Sequence, residues 1–180
     1  ISCTSLTSVV FPDSLTQLDK RAFGECSSLT SVVLPDSLTQ LGEAAFGGCT
    51  SLTSVVLPDS LTGIGKWAFL RCSSLLSVVM PVNITQLGEA AFGKCTSLTS
   101  VVLPDSLTHV GKWAFRECPS LTSVVMPDSA ELGNDVFMDC NVLLDKAALA
   151  GFDSVEPYLR DRYKSITLRK LVLRLLRKYN

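Results

Sequence analysis

The sequence predicts an α/β repeat solenoid of 23-residue units with a helical cap at its C-terminal end. The seven cysteines recur every 23 residues five times and then after 22, and one leucine, one proline and one phenylalanine of each unit keep nearly the same step. After residue 142 the repeat stops and basic side chains become frequent. A fixed period of this length is the signature of chains in which each unit packs only against its neighbours.

Each unit begins with a segment that favours a short strand. In the unit that starts at Leu29, Val32 and Leu34 share one side of an extended chain while Val33 takes the other. Pro35 lacks the amide hydrogen that a further ladder bond would need, so the strand ends there. The apolar residues of the return path are Leu38, Leu41, Ala45 and Phe46. One unit cannot bury this many apolar side chains alone, whereas units stacked about 4.8 Å apart form a continuous core.

The repeated pattern Leu-x-x-Val-x-Leu-Pro-x-x-Leu-x-x-Leu-Gly-x-x-Ala-Phe-x-x-Cys resembles the BspA-like class of leucine-rich repeats over residues 3–142. The resemblance implies a right-handed horseshoe or gently curved solenoid with its strands on the concave side. It also implies a role in protein–protein or cell-surface interaction, and no catalytic residues. Two units depart from the pattern, because Val82-Asn83-Ile84 replaces Asp-Ser-Leu in the fourth and the sixth is one residue short.

The outward strand positions are candidates for binding a partner. They carry one serine and one valine in each unit, and the central four pairs are Ser31, Val33, Ser54, Val56, Ser77, Val79, Ser100 and Val102. A specific partner is normally recognised by side chains that differ along a surface. A face this uniform suits a repetitive ligand, a weak adhesive contact or no ligand, and a flat Ser/Thr lattice could also order water.

A second, 46-residue period lies within the first. One position alternates between lysine and glutamate through Lys20, Glu43, Lys66, Glu89 and Lys112. At the next position the third and fifth units carry Trp67 and Trp113, and the second and fourth carry alanine. This alternation pairs opposite charges and leaves room for each indole between neighbouring rungs, which stabilises the stack. The alternative is that Trp67 and Trp113 form an aromatic binding patch.

The cysteines predict a ladder of buried thiols. Cα atoms on neighbouring rungs would lie about 5 Å apart, but parallel side chains keep the Cβ atoms nearly as far apart, beyond the ~3.8 Å typical of a disulfide. No Cys-x-x-Cys pair supplies a zinc ligand set and no glycine cluster suits a phosphate, so we expect neither a metal nor a cofactor. Free thiols sit more easily in a reducing environment, which slightly favours the cytoplasm over the cell surface.

The sequence singles out no catalytic constellation. The aspartate and serine of the turns recur from unit to unit without one being distinguished, and His109, the single histidine, takes a position held by glutamine or glycine in sister units. Catalysis needs a unique arrangement of nucleophile, base and orienting group. We therefore expect that the protein is not an enzyme and that His109 is surface variation.

The two parts of the chain carry opposite charge. Residues 1–142, a partial unit at 1–5 followed by six units from Leu6, hold 7 basic and 13 acidic side chains. Residues 143–180 hold 9 basic and 4 acidic ones, and their pattern predicts helices near 143–150, 158–164 and 167–179. Because solenoids need covered ends, we interpret residues 143–180 as a helical cap. The basic amphipathic segment 167–179 leaves open peripheral binding to anionic membranes or acidic partners, or dimerisation.

The predicted function is a non-enzymatic scaffold for protein–protein interaction or adhesion, with a protein partner of unassigned identity. The balance of 16 basic against 17 acidic residues argues against a nucleic-acid binder, and no apolar run approaches the ~20 residues of a membrane span. The first unit leaves Leu6, Val9, Phe11 and Phe23 uncovered on one side, which predicts a longer native chain or self-association through the N-terminal end.

Overall fold

The computed structural model describes residues 3–164 and shows a parallel-strand β-solenoid followed by two helices. Each turn of the solenoid, called a rung here, contributes to two separate parallel ladders. In chain order the strands are β1 (Gln17–Leu18), β2 (Ser31–Val33), β3 (Gln40–Leu41), β4 (Ser54–Val56), β5 (Gly63–Ile64), β6 (Ser77–Val79), β7 (Gln86–Leu87), β8 (Ser100–Val102), β9 (His109–Val110), β10 (Ser123–Val125) and β11 (Glu131–Leu132). The predicted repeat solenoid is confirmed.

The three-residue strands are the predicted ones. β2 pairs with β4, β6 pairs with β8, and β8 pairs with β10, while β4 and β6 lie side by side. The register joins equivalent residues, so that Ser31 lies opposite Ser54 and Val33 opposite Val56. Within β2 the middle valine is buried and the residues on either side are exposed, as the alternation predicts.

The return path contains a second ladder that the sequence does not predict. The two-residue strands β1, β3, β5, β7, β9 and β11 form one six-stranded parallel sheet. In each pairing the rungs are in register, as in Leu18 opposite Leu41 and Leu87 opposite Val110. The threonine before the strand adds a side-chain bond, since Oγ1 of Thr39 donates to the carbonyl of Thr16 at 3.1 Å.

Turns that bond directly from rung to rung close the third side of the solenoid. The amide of Phe46 donates to the carbonyl of Ala68 at 2.8 Å, and the amide of Phe69 donates to that of Ala91 at the same distance. Eleven residues other than glycine have positive φ in the described chain, and they recur at two positions of these turns. The left-handed conformation costs energy in a residue with a Cβ, so the rung-to-rung bonds must hold it in place.

The core is a column of equivalent side chains stacked along the solenoid axis. The phenylalanines at 23, 46, 69, 92, 115 and 137 form a stack in which adjacent ring centroids lie 5.1 to 5.8 Å apart. Rows of leucine, valine and cysteine side chains are buried beside this stack. The rungs approach so closely that a Cβ on Gly65 would lie 2.5 Å from the carbonyl oxygen of Leu41. The first rung has Asp19 at this position, where the other units have glycine.

Helix α1 (Asn141–Leu149) follows the last rung, and residues 155–164 form a second helix, α2. Leu143 of α1 and Leu159 of α2 are buried against the solenoid core. The guanidinium group of Arg160 donates to the carbonyl oxygens of Asp128 and Ala130, which ties α2 to the turn of the sixth unit. The third predicted helix, at 167–179, falls outside the described residues.

Candidate interaction site

The outward valines of the three-residue strands form a continuous exposed row. Val33, Val56, Val79 and Val102 are 67%, 56%, 80% and 59% exposed, and Val10 of the first rung is 95% exposed. The serine at the start of each of these strands is exposed as well. We call this surface the valine face. Its strands are about 4.8 Å apart, so the valine side chains form an unbroken apolar stripe.

The fourth rung makes the valine face less uniform than its strand residues suggest. Leu76 precedes β6 where other units carry threonine, and it is 54% exposed. Val82 follows β6 where other units carry aspartate, and it is 64% exposed. Both flank Val79 on one rung, so the apolar stripe is widest there. Leu76 is not among the binding residues that the sequence predicts, although its departure from the threonine row is visible in the sequence.

The rung-to-rung turns form a second surface, called the turn face here. It comprises residues 20–25, 43–48, 66–71, 89–94, 112–117 and 134–139. All seven basic side chains of residues 1–142 lie on it, namely Lys20, Arg21, Lys66, Arg71, Lys94, Lys112 and Arg116. Trp67 and Trp113 also lie there, with φ of 58° and 61°. The positive charge of an otherwise acidic solenoid is thus confined to one side.

The two tryptophans have different surroundings, so they do not form one patch. Nζ of Lys112 lies 3.7 Å from the ring centroid of Trp113, and the guanidinium of Arg116 lies 5.4 Å from it. Nε1 of Trp113 is buried and has no hydrogen-bond partner among the described residues. Two cations therefore lie against this indole.

Trp67 instead lines a groove of about 340 Å³ on the turn face. Ala44, Gly47 and Gly48 of the second rung form the floor, and Trp67 and Leu70 of the third rung form one wall. The charged groups that complete the lining are Arg21, Glu25 and Arg71. The second rung is low at this point because Ala44, Gly47 and Gly48 have no side-chain atoms beyond Cβ, and the carboxylate of Glu25 lies against Gly48.

Six of the seven cysteines are buried free thiols, and Cys3 is exposed. Sγ of Cys72 donates to the carbonyl oxygen of Phe46 at 3.2 Å, and Cys95 makes the same contact with Phe69 at 3.3 Å. Burial raises the pKa of Cys49 and of Cys95 to about 12, and it raises the pKa of Cys72 well above its ordinary value. These thiols are therefore protonated near neutral pH and chemically quiet.

His109 is exposed and belongs to the second ladder. Its Nε2 lies 2.9 Å from a carboxylate oxygen of Glu131, and its Nδ1 lies 2.9 Å from Oγ1 of Thr108. A hydroxyl, an imidazole and a carboxylate in this order resemble a catalytic triad in composition only, because the Thr108 hydroxyl donates its proton to the carbonyl of Thr85 at 3.0 Å. Within residues 3–164, no three His, Cys, Asp or Glu side chains converge into a metal-binding group.

Known proteins share this repeat and this solenoid fold. Residues 18–144 match the family described as the BspA type leucine rich repeat region in six copies. The chain belongs to the BspA-type leucine-rich repeat family. The leucine-rich repeat protein of T. pallidum is 31% identical over 81% of this chain and 84% of that chain, with a TM-score of 0.70. Among curated protein sequences, no match is found.

Other bacterial members of this repeat class share the solenoid. A leucine-rich repeat protein from Bacteroides ovatus is 31% identical with a TM-score of 0.69, and the match covers 76% of this chain but only 37% of that one. A leucine rich cell surface protein from Faecalibacterium prausnitzii is 25% identical with a TM-score of 0.52, over 78% of this chain and 53% of that one. This BspA-type chain thus spans about a third to a half of those two larger relatives.

No helix in residues 3–164 is both long and apolar enough to cross a membrane. The alternative role in binding anionic membranes or acidic partners depends on residues 167–179, which lie outside the described residues, and neither the family nor the similar structures support it.

Proposed function

We propose that this BspA-type chain is a non-enzymatic scaffold for protein–protein interaction or adhesion, and that it binds its protein partner through the valine face. Proteins of this family generally serve as adhesion or interaction scaffolds. The row of outward valines supports this choice of surface. Four of these valines lie on adjacent strands, and each is more than half exposed. Soluble proteins seldom leave a contiguous apolar stripe open, and such stripes commonly mark interaction sites.

The fourth rung supports a defined docking position on this face. Leu76, Val79 and Val82 expose three large apolar side chains on one rung, whereas the equivalent residues of the third rung are Thr53, Val56 and Asp59. A partner that buries apolar side chains would gain about 25 cal/mol for each Å² removed from water, so this rung offers the largest gain. The interaction therefore centres on Val79, with Ser and Val of neighbouring rungs at its margins.

A non-enzymatic role is supported by how the polar groups are used. The threonine and serine hydroxyls recur as rung-to-rung donors, as in Ser60 to Leu38 at 2.7 Å and Thr85 to Thr62 at 3.1 Å. A hydroxyl committed to a backbone carbonyl stabilises the stack and is not positioned as a nucleophile.

Capture from an extract of the source organism tests the valine face. The immobilised wild-type chain is compared with the double variant Val56→Lys/Val79→Lys, and the matched control is Gln40→Lys/Gln86→Lys, which adds the same charge to exposed positions of the second ladder. We expect proteins retained by the wild type and by the control to be lost from the valine variant, because the lysines interrupt the apolar stripe. Identical retention by all three chains would contradict the proposed surface.

A milder variant separates contact from folding. Val56→Thr/Val79→Thr keeps the branched shape that favours a strand and replaces a methyl group by a hydroxyl on each side chain. We expect unchanged thermal unfolding together with weaker retention of the same proteins. Retention at the wild-type level would show that the valine methyl groups make no contact with the partner.

A further inference from the structure

A row of aspartates runs along one edge of the valine face. Each lies directly after the repeated proline, and each is exposed; they are Asp13, Asp36, Asp59, Asp105 and Asp128. We call this set the aspartate row. The fourth unit carries Val82 at the equivalent position, on the rung of Val79. The valine face therefore has an acidic edge that is interrupted by an apolar side chain on the fourth rung.

Helix α2 brings the chain to this edge. The hydroxyl of Tyr163 donates a hydrogen bond to a carboxylate oxygen of Asp105 at 2.7 Å, and Nζ of Lys164 lies 3.6 Å from a carboxylate oxygen of Asp128. These two residues are the last of the described chain. The chain therefore leaves its described part at the aspartate row, level with the fifth and sixth rungs.

The last rung of the valine face is already partly covered. Val125, the outward valine of β10, is half-buried, whereas its four counterparts in β2, β4, β6 and β8 are exposed. Tyr158 and Arg162 of α2 line a cavity of about 210 Å³ together with Ser123 of β10. Helix α2 thus lies against one end of the valine face, and the outward valines of the first five rungs stay exposed beyond it.

The sixteen residues after Lys164 have the chemistry that complements this surface. Residues 165–180 hold five basic side chains and no acidic one. Six of their apolar residues recur at helical spacing, namely Leu168, Leu171, Val172, Leu175, Leu176 and Tyr179. A helix over the predicted range 167–179 would be about 20 Å long, and five rungs cover about 19 Å. One such helix therefore matches the exposed length of the valine face.

The aspartate row has carboxylates that can pair with these basic side chains. Within residues 3–164, neither Asp36 nor Asp59 forms an ion pair. The basic side chains of the solenoid all lie on the turn face, so a basic segment is attracted to the aspartate row and repelled by the turn face. Tethering through α2 gives the segment an effective concentration on the order of millimolar, which a separate protein would have to match.

We infer that residues 165–180 dock along the valine face, with their leucines over the outward valines and their basic side chains at the aspartate row. This inference rests on the proposed function, because the docked segment occupies the surface that binds the protein partner and so regulates access to it. The partner must displace the segment, and its apparent affinity falls in proportion to the fraction of chains whose valine face is open. The fourth rung, with Val79 and Val82, offers the segment the largest apolar contact.

Protection of a cysteine on the valine face measures this contact in the full chain. Val79→Cys is combined with Cys3→Ser, so that the remaining native cysteines are buried and do not react with an uncharged reagent such as N-ethylmaleimide. We expect the new cysteine to react at least roughly tenfold faster after Leu171→Ser/Leu175→Ser, which removes two leucines from the apolar side of the segment. Equal rates with and without the two serines would overturn the inference.

Two controls show where the protection arises. Gln86→Cys places a thiol on the same rung, at an exposed position of the second ladder, and its rate should not change with the two serines. A change as large as that of Val79→Cys would mean that the whole rung has loosened, and it would overturn the inference. Protection of Val79→Cys should also be independent of protein concentration. Protection that increases with concentration would mean that the segment comes from a second copy, which would overturn the contact within one chain.

Aspartate variants test the charged part of the contact. Asp36→Asn/Asp59→Asn removes two carboxylates from the aspartate row, and it should make Val79→Cys react roughly fivefold faster because the basic side chains lose their partners. The matched control Asp135→Asn/Asp139→Asn removes the same charge from exposed positions of the turn face. It should leave the rate nearly unchanged, since charges this far apart are screened. Equal rates for the two double variants would overturn the inference.

Partner capture separates this inference from the proposed function. Leu171→Ser/Leu175→Ser should increase the retention of proteins that bind the valine face, because the face is open in more chains. If Val79→Cys is unprotected while Val56→Lys/Val79→Lys still loses its partner, this inference falls and the proposed function stands. If Val79→Cys is protected while the lysine variant retains the same proteins as the wild type, the docked segment stands and the proposed function falls.

Discussion

Sγ of Cys72 donates a hydrogen bond to the carbonyl oxygen of Phe46 on the preceding rung, over 3.2 Å. The thiols of the ladder are thus directed at backbone oxygens, and six of the seven cysteines are buried. Under native conditions near pH 8, we expect a thiol reagent such as Ellman's reagent to modify Cys3 rapidly and the six others only after unfolding. Cys3→Ser should remove the rapid phase. Rapid native modification of Cys49, Cys72 or Cys95 would contradict the buried ladder.

The raised thiol pKa values predict a loss of stability in alkali. The folded chain keeps the protons of Cys49 and Cys95 up to about pH 12, whereas the unfolded chain releases them from the ordinary value of 9.0. The stabilising contribution is complete below about pH 9 and is lost as the pH rises towards 12, at ~1.4 kcal/mol per pH unit for each buried thiol. Urea unfolding at several pH values measures the slope.

Alanine variants separate the thiols from lysine and tyrosine, which titrate in the same range. Cys49→Ala/Cys72→Ala/Cys95→Ala is less stable near pH 7 because it loses packing, but its free energy of unfolding should fall less steeply above pH 9. Parallel curves for the wild type and this variant would show that the buried thiols do not cause the alkaline loss.

The sequence predicted the three-residue strands and the core rows because their residues repeat without change. Val33 and Val56 are exposed and Val32 is buried, as the alternation required. The second ladder escaped prediction, since two residues such as Gln40 and Leu41 are too few to establish a period of two. These strands form because stacked rungs hydrogen-bond to one another. Their formation therefore depends on the neighbouring units more than on the local sequence.

The candidate site was only partly visible in the sequence for a similar reason. Trp67 and Trp113 are equivalent in the repeat, so the sequence assigns both of them to packing between rungs, with one shared aromatic patch as the alternative. The structure separates them through their neighbours, because Lys112 and Arg116 lie against Trp113 while Trp67 lines a groove with Ala44 and Gly47. Contacts between side chains of different rungs cause this difference. A repeat pattern shows which positions are equivalent, but it does not show these contacts.

Removing one ring from the phenylalanine stack should lower the free energy of unfolding substantially. Phe69 is fully buried, and its ring centroid lies 5.5 Å from that of Phe46 and 5.1 Å from that of Phe92. Phe69→Ala should lower the free energy of unfolding by about 3–5 kcal/mol, since it leaves a cavity between two rungs that cannot close. Phe11→Ala, in the partly buried first rung, is the control and should cost less. Equal losses in denaturant titrations would argue against a continuous stack.

The alternating charges of the turn face should act as separate pairs. Nζ of Lys66 lies 3.7 Å from a carboxylate oxygen of Glu89, whereas Lys112 lies over Trp113. In a double-mutant cycle, Lys66 and Glu89 should couple by ~0.2–1 kcal/mol at low salt and less at high salt, because both side chains are partly solvated. The cycle between Glu89 and Lys112 should give a coupling near zero. Equal couplings would indicate one continuous line of charge.

We predict that the chain self-associates through its N-terminal end. Phe11 packs edge-on against Phe23 with centroids 5.4 Å apart, and both rings are only partly buried. A second copy would gain by covering them, but Asp19 places a Cβ and a charge where later rungs need glycine for close backbone approach. Light scattering at rising concentration should therefore show association that Phe11→Ser weakens and Asp19→Gly strengthens. A chain that stays monomeric at high concentration, with or without Asp19→Gly, would show that this rung is not a contact surface.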